Sequence, residues 1–259
     1  MVFRKTLFGF AALALFLGLS SLAGSGQTPE VKEKTPMYSY VSDWVIPRAQ
    51  WAEMDKANEA DRDALNKAMS DGTLVGWGYD TNLVHTVDGP THDEWWSATS
   101  LAGVLKVLDV FYKNGGATAP VLSTSTKHWD NIYVSRYYNW HPGSWKDAYT
   151  SESVYTLKPD APHDAVDQLS KNLVVPLLEK LLADGTLLEY EIDTLAVHTE
   201  APGTFYIVYI VKNAEDLDKV DSAIRADIHS NPLGGVAFTS MEKVGAHRDF
   251  LAHTVATYK

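Results

Sequence analysis

The sequence predicts an α+β protein made of two copies of one structural unit, and three observations support this prediction. Residues 71–86 return as residues 184–199 at a constant offset of 113, with nine of sixteen positions identical. A gapless match of this length is typical of an internal duplication. Both copies show the same order of predicted elements. The segment 205–211 is apolar on both faces, which indicates a sheet that is covered on both sides.

The first unit is predicted over residues 37–139. Asp88-Gly89 is a two-residue turn signal between two of its strands, and Gly115-Gly116 ends its second helix. The predicted elements are, in order, a strand (38–46), a helix (47–70), two strands (74–87 and 90–98), a helix that starts at Leu101, and a strand (130–139). A linker over 140–150 then leads to the second unit.

The second unit is predicted over residues 151–259 and repeats the same order. Its first helix carries a leucine stripe with helical spacing, and Pro176 is expected to kink that helix. The predicted elements are a strand (153–157), a helix that ends at Asp184-Gly185, two strands (187–199 and 204–212), a helix capped by Asn213, and a strand (249–258).

The order strand, helix, strand, strand, helix, strand is that of the ferredoxin-like βαββαβ unit. Two such units with their sheets packed face to face as an intramolecular α/β barrel resemble the dimeric α/β-barrel superfamily, here fused in one chain. The resemblance covers nearly all of the chain after residue 36 and rests on element order and duplication, without a family-specific motif. It implies a superfamily that includes small-molecule monooxygenases, haem-dependent enzymes and proteins without known activity, and therefore does not select a function.

The N-terminus has the pattern of a secretory signal peptide. Arg4 and Lys5 precede an uncharged apolar run, and small residues before position 24 predict cleavage after Ala23. Residues 1–23 are thus predicted as a signal peptide and 24–36 as a flexible stalk, which predicts a periplasmic or extracellular protein. The apolar run is shorter than a membrane span, so no membrane insertion is expected after cleavage.

Composition excludes several classes of function. The chain has no cysteine, so disulfides and thiolate nucleophiles are absent. Its net charge of −11 argues against nucleic acid as a partner. Because the two fused units already supply both halves of a barrel, the sequence predicts a monomer.

Tryptophan is distributed unevenly between the two units. All eight tryptophans lie between Trp44 and Trp145, and the second unit has none. Trp77 and Trp95 therefore predict an aromatic pocket for a small molecule in the first unit. Ordinary core packing is the alternative, since tryptophan fills cores well.

The last strand of each unit suggests further ligand-binding residues. In the second unit one face has the small residues Ala252, Thr254 and Ala256. If that face meets the helices, His253 points into the barrel, and the matched pattern of the first unit directs Arg136 and Tyr138 inward. A buried arginine needs an anionic partner, supplied by the protein or by a bound carboxylate or phenolate.

His85 and His92 form a candidate metal site. A two-residue turn at Asp88-Gly89 would place the two imidazoles opposite each other, about 5 Å apart, with Asp88, Asp93 or Glu94 nearby. The alternative is a structural role for His85, because His198 occupies the same place in the second unit.

The sequence predicts a secreted protein that binds a small molecule or a partner in or beside the barrel, without a predicted cofactor. One alternative is an enzyme of monooxygenase-like or haem-type chemistry that uses the barrel interior; a divalent metal or a haem would then be its cofactor. That enzyme needs a cavity of several hundred Å³ with a perturbed ionisable group. A second alternative is a structural or assembly protein with a filled interior.

Overall fold

A computed structural model describes residues 33–87 and 89–259, which lie in one compact unit. The predicted signal peptide and most of the predicted stalk lie outside the described residues. Within the described part of the chain, no helix has the length and apolar character needed to cross a bilayer.

Eight antiparallel strands close into one barrel in the order β1-β3-β2-β8-β5-β7-β6-β4. Closure pairs every strand on both sides and leaves no sheet edge exposed. The strands are β1 (Met37–Trp44), β2 (Gly76–Asn82), β3 (His92–Ala98), β4 (His128–Trp140), β5 (Gly143–Thr156), β6 (Leu187–Leu195), β7 (Thr204–Val211) and β8 (Arg248–Tyr258).

The predicted fold class, two ferredoxin-like repeats with sheets packed face to face, is wrong. The chain forms a single closed sheet, in which β2 pairs with β8 in a continuous register and β4 pairs with β6 in a register that shifts once, between Ser135 and Tyr137. The apolar strand 205–211 correctly indicated that neither face of the sheet is in bulk solvent. The second face is enclosed because the sheet closes on itself, and no second sheet packs against it. Residues 140–150, predicted as a linker, mostly belong to β5, which follows β4 after a short turn at His141-Pro142.

Helices flank the outside of the barrel. Ser100 and Asn213 begin two of them by accepting hydrogen bonds from the backbone N–H groups of Gly103 (3.1 Å) and Asp216 (3.0 Å). Gly115, with φ of 82°, ends the first of these two. The helices are α1 (Trp51–Ser70), α2 (Leu101–Asn114), α3 (Ala165–Leu169), α4 (Val175–Ala183), α5 (Ala214–Ser230) and α6 (Pro232–Met241), with a π-helical segment (Ser170–Val174) between α3 and α4.

The π-helical segment lies just before Pro176, where the sequence predicts a kink. Proline lacks the N–H that would continue the α-helical hydrogen bonding, and a wider turn accommodates its ring. The predicted single helix is therefore divided into α3 and α4.

The outer face of the barrel carries two apolar cores, each covered by helices. One packs Trp77, Tyr79 and Trp96 against α1 and α2, and the other packs Tyr190 and Phe205 against α4 and α5. The apolar burial that holds the fold together thus lies mainly between barrel and helices. The inner face is free to carry other side chains.

An acidic cavity inside the barrel

Carboxyl groups line the interior of the barrel. On β6 the side chains of Glu189, Glu191 and Asp193 alternate with residues that face α4 and α5, so all three point inward. Strands β1, β2, β3 and β5 contribute one inward carboxyl each, namely Asp43, Asp80, Asp93 and Glu152. Asp43, Asp80, Glu189, Glu191 and Asp193 are buried, whereas Asp93 and Glu152 are partly exposed towards the cavity.

These carboxyl groups surround a cavity of about 420 Å³. One end is closed by packed aromatic rings: Tyr258 lies 5.5 Å from Trp95 and 5.4 Å from Trp140, measured between ring centroids. At the other end the lining residues Lys127, Glu200 and Arg248 are exposed. The cavity is therefore a deep pocket with its mouth at that second end, and its volume is in the range of small-molecule sites.

Asp80 and Asp93 form one carboxyl pair in the wall. Asp80 accepts hydrogen bonds from Trp95 Nε1 (3.0 Å) and from the hydroxyl of Thr254. Burial raises the pKa of Asp93 well above its ordinary value, and the negative charge of Asp80 raises it further. Because Asp80 has donors that stabilise its charge, Asp93 is the member of the pair that keeps its proton, and its O–H group donates a hydrogen bond to Asp80.

Glu191 and Asp193 form a second carboxyl pair. The hydroxyl of Ser135 lies 3.1 Å from Glu191 Oε2 and also donates to Asp193. Burial raises the pKa of Asp193 to about 7, and burial together with the charge of Asp193 raises the pKa of Glu191 well above its ordinary value. Glu191 is therefore the protonated member at neutral pH.

Glu189 lies deepest and has no hydrogen-bond partner. Its side chain is 1% exposed, and neither carboxyl oxygen is bonded to any described residue. The hydroxyl of Tyr258, also in the cavity wall, is equally unpartnered. A buried polar group without a partner costs about 1–3 kcal/mol, so this end of the cavity holds polar atoms that the rest of the described chain does not satisfy.

Burial also raises the pKa values of Asp43 and Glu152 towards neutral pH. It raises the pKa of Asp43 to about 8, with a further contribution from the charge of Asp130. It raises the pKa of Glu152 to about 8, with a further contribution from Asp43. Among the described residues of the wall, the basic side chains are Lys127 and Arg248, both at the mouth. The interior therefore has acid groups that titrate near physiological pH without cations beside them.

Of the two tryptophans predicted to form the ligand site, one lines the cavity. Trp95 faces inward, and Gly78 opposite it leaves room for the indole, because a Cβ at Gly78 would overlap that ring. Trp77 faces the helices, is buried in the outer core and lies 5.3 Å from the ring of Tyr79. Trp77 thus has the packing role that was the alternative.

Arg136 and Tyr138 lie away from the cavity. β4 has a register shift between Ser135 and Tyr137, and Arg136 turns outward there, where it pairs with Glu33. The predicted inward orientation of Arg136 is wrong because Asn131 and Tyr133 form the inward face of this strand, so regular alternation places Arg136 on the outer face. Tyr138 packs at the closed end of the barrel and donates to the carbonyl oxygen of Thr35 at 2.8 Å.

His253 faces outward, so its predicted orientation into the barrel is wrong. Its ring lies 5.0 Å from that of Tyr149 on the outer face. The small face of β8, formed by Ala252, Thr254 and Ala256, points inward and is buried there. Small side chains are needed on this inner face because they leave space for Trp95 and for the cavity.

His85 and His92 both contact the ring of Trp51, at 5.2 and 5.1 Å between centroids. They are not cross-strand neighbours, because β2 ends at Asn82 and His92 is opposite Thr81. Burial lowers the pKa of His92 to about 4. Asp88, a predicted third ligand, lies outside the described residues, and the described residues contain no group of three or more side chains arranged to hold a metal.

The cavity carboxyl groups were not selected from the sequence, although one signal for them is present. The run Glu189, Glu191, Asp193 alternates with Leu188, Tyr190 and Ile192. Such alternation is usual for a strand with one face in water, and the closed barrel converts the solvent face into an interior. The positions Asp80 and Asp193, which match at the offset of 113, are both part of this interior.

Comparison with known proteins identifies the fold. No family model matches the chain, and no curated protein matches it. Among solved structures, a putative monooxygenase from Lactobacillus acidophilus is 12% identical with a TM-score of 0.62, and the match covers 86% of this chain and 97% of that one. A putative monooxygenase from Fusobacterium nucleatum is 12% identical with a TM-score of 0.64, covering 87% and 95%.

A third solved structure, an anthrone oxidase-like protein, is 11% identical with a TM-score of 0.52 and covers 87% of this chain and 94% of its own. Likeness at these identities shows the fold. It is consistent with the dimeric α/β-barrel superfamily that the sequence resembles. Two of these three proteins are putative monooxygenases, the reaction class named by the enzyme alternative above.

The prediction of a monomer is contradicted by this comparison, because the proteins of this fold family are dimeric or oligomeric. The prediction rested on barrel closure within one chain. Closure satisfies the strand edges, but it does not determine what the outer surface contacts, where apolar side chains such as Val236 remain exposed.

Haem stays a prediction for this fold, and the central cavity does not fit it. Proteins hold haem iron through His, Cys, Met or Tyr, and the described wall of the cavity offers only tyrosines from this set. The rings of Tyr133 and Tyr206 pack against each other with their centroids 4.8 Å apart. Burial raises the pKa of both phenols, which disfavours the ionised form that would bind iron.

Proposed function

We propose that this chain is an enzyme that takes a small organic substrate into the barrel and transfers protons to and from it through the carboxyl groups of the wall. The observation that supports the proposal most is the deep cavity of about 420 Å³ with ionisable groups at its surface. This is the combination that distinguishes the enzyme alternative from a structural protein with a filled interior.

The carboxyl groups have the acidity that proton transfer requires. A general base works best when its pKa is near the operating pH, and burial raises the pKa of Asp193 to about 7 and that of Asp43 and Glu152 to about 8. In an ordinary solvated carboxyl the ionised form is a weak base. In this cavity the ionised form is a much stronger base, because it is poorly solvated.

Monooxygenation is the reaction class that two structural neighbours suggest through their description as putative monooxygenases. In its simplest form a CH2 group and O2 become a carbonyl group and water, so the substrate supplies the electrons. A wall carboxylate would remove the proton from the CH2 group. Asp193 and Glu152 are the groups we propose for this step.

The proposal is tested by aerobic incubation with a library of small aromatic compounds, followed by oxygen uptake and mass spectrometry of products. A Val208→Trp substitution fills the cavity, because Val208 lines it. Val236→Trp on the exposed surface of α6 is the matched control. We expect turnover of at least one compound, lost by roughly tenfold or more in Val208→Trp and retained in Val236→Trp.

Turnover that Val208→Trp leaves unchanged would contradict a reaction inside the barrel. Binding that depends on the cavity but gives no product would instead support the second candidate, a protein that binds a small molecule without catalysis. The closed aromatic end, which makes the cavity deep enough to enclose a ligand, favours that candidate over a structural protein.

A further inference from the structure

We propose that the molecule bound in the barrel is an organic amine in its protonated form, with its ammonium group at Glu189 and Tyr258 and its apolar body along the valine and aromatic side of the cavity. This inference rests on the proposed function, because it specifies the substrate class of the same cavity.

The first argument is the unsatisfied end of the cavity. Both oxygens of Glu189 and the hydroxyl of Tyr258 lack partners among the described residues, although both side chains are buried. They also interact electrostatically, since the charge of Glu189 raises the pKa of Tyr258. An ammonium group has three N–H donors and no acceptor, and these acceptors match it.

The second argument is the sign of the charge around this point. The carboxyl groups that act on Glu189 are Glu191, Asp193 and Asp80, all negative when ionised. The basic residues of the described wall, Lys127 and Arg248, are at the mouth. An ammonium group next to Glu189 stabilises the ionised form of this carboxyl group by pairing with it. An anion offers no such stabilisation, so a cation is the favoured occupant.

The third argument separates an organic cation from a metal ion. The described residues contain no group of three or more side chains placed to coordinate a metal. The wall next to Glu189 is instead apolar, with Ile210, Val208 and Val41, and Trp95 lies beside them. This surface fits the carbon body of an amine, and aromatic faces also attract cations.

The test compares three compounds with similar carbon bodies and different charges: 2-phenylethylamine, 2-phenylethanol and 3-phenylpropionate. Their affinities for the full chain are measured by calorimetry at about pH 7.5. We expect the amine to bind at least roughly tenfold more tightly than the alcohol, and the carboxylate not to bind. Equal or tighter binding of the alcohol or the carboxylate would overturn the inference.

Glu189→Gln tests the assigned position, with Glu215→Gln on the exposed surface of α5 as the matched control. We expect Glu189→Gln to remove the preference for the amine while binding of the alcohol is kept, which also shows that the variant is folded. Glu215→Gln should bind like the wild type. An amine preference that survives in Glu189→Gln would overturn the assignment.

The outcomes also separate this inference from the proposed function. One outcome is that neutral compounds bind in the cavity, shown by loss of their binding in Val208→Trp, while amines do not bind. In that case the inference fails and the proposed function stands. If no library compound binds in a manner that Val208→Trp abolishes, the proposed function fails as well.

Discussion

Glu189 is the residue on which the chemistry of the interior depends most directly. It is buried, unpartnered and surrounded by other carboxyl groups. Burial raises its pKa well above the ordinary value, so it favours the protonated form in the folded protein. A carboxyl group in this state is unfavourable for folding at alkaline pH and is retained, in our account, because it serves a ligand.

We predict that the Glu189→Gln protein loses less stability than the wild type as the pH becomes alkaline. A group whose folded pKa is raised binds more protons in the native than in the unfolded state, so stability falls as pH rises above its unfolded pKa. Glutamine does not titrate and removes up to about 1.4 kcal/mol of this loss per pH unit. Urea unfolding between about pH 5 and pH 9 measures the change.

At about pH 5 the stability of Glu189→Gln should match that of the wild type to within about 1 kcal/mol, because Glu189 is then neutral in the folded protein and this pH is close to the pKa of an unfolded glutamate. Glu215→Gln is the control and should leave the slope of stability against pH unchanged. A Glu189→Gln protein with the wild-type slope would show that Glu189 is ionised in the folded state.

Gly78 is the second residue whose role follows from the cavity. Any side chain at this position would overlap the ring of Trp95 and approach the carbonyl oxygen of Val255 at 2.6 Å. We expect Gly78→Ala to displace Trp95 and to destabilise the protein by about 1–3 kcal/mol, measured by urea unfolding and tryptophan fluorescence. Gly235→Ala, where the added Cβ meets Ile228 at an ordinary 3.4 Å, should be neutral or stabilising.

At the scale of elements, the pairing of β2 with β8 completes the barrel. A network of interior hydroxyl groups lies at this pairing. Thr254 on β8 donates to Asp80 on β2 and lies 2.5 Å, Oγ1 to Oγ1, from Thr150 on β5. This network connects three neighbouring strands through buried groups. It therefore supports both the closure of the barrel and the acidity of Asp80.

We predict that Thr254→Val costs about 1–3 kcal/mol of stability, because Asp80 loses a donor in a buried site. The effect should grow as pH rises, since the ionised form of Asp80 loses more than the protonated form. Thr257→Val on the same strand removes a hydroxyl that is exposed and should change stability by less than about 0.5 kcal/mol. Equal effects of the two substitutions would contradict the proposed network.

The elements themselves were largely predictable, and their orientation was not. Most strands and flanking helices follow the apolar periodicity of the sequence, and Asn213 begins α5 as predicted. For β8, small residues on one face fit both contact with helices and a barrel with an internal cavity. The sequence does not distinguish these two arrangements, and the closed sheet does. His253 was therefore predicted to face inward, whereas it faces outward.

At the scale of the whole molecule, closure explains why the acidic site was missed. An alternating strand such as β6 indicates one wet face, and sequence periodicity cannot tell bulk solvent from an enclosed cavity. The carboxyl groups converge from β1, β2, β3, β5 and β6, so no short segment contains the pattern. Element order indicated a resemblance in fold that the solved structures agree with, while the joining of strands into a single closed sheet was not indicated.

We predict that the protein loses stability between about pH 6.5 and pH 8. Asp43, Glu152 and Asp193 have pKa values raised by burial to about 8, 8 and 7. Their native state holds protons that the unfolded state releases, so stability is highest below this range and falls as pH rises through it. Differential scanning calorimetry should show a decreasing Tm; a constant or rising Tm would contradict the prediction.

The pH range is chosen because another buried group acts in the opposite direction at lower pH. Burial lowers the pKa of His92 to about 4 from 6.5, so its contribution increases stability as pH rises to 6.5 and is constant above it. The other carboxyl groups that face the cavity are Asp80, Asp93, Glu189 and Glu191 in the wall, and the charged side chains at its mouth are Glu200, Lys127 and Arg248.

The most direct test of the acidic interior is a pH titration of the Asp and Glu side-chain carboxyl carbons by ¹³C NMR. We expect several carboxyl groups to titrate near pH 7–8, with their resonances assigned through Asp43→Asn, Glu152→Gln and Asp193→Asn. If every carboxyl group in the protein titrates below about pH 5, as solvated carboxyls do, the barrel interior is not the buried acidic cavity described above.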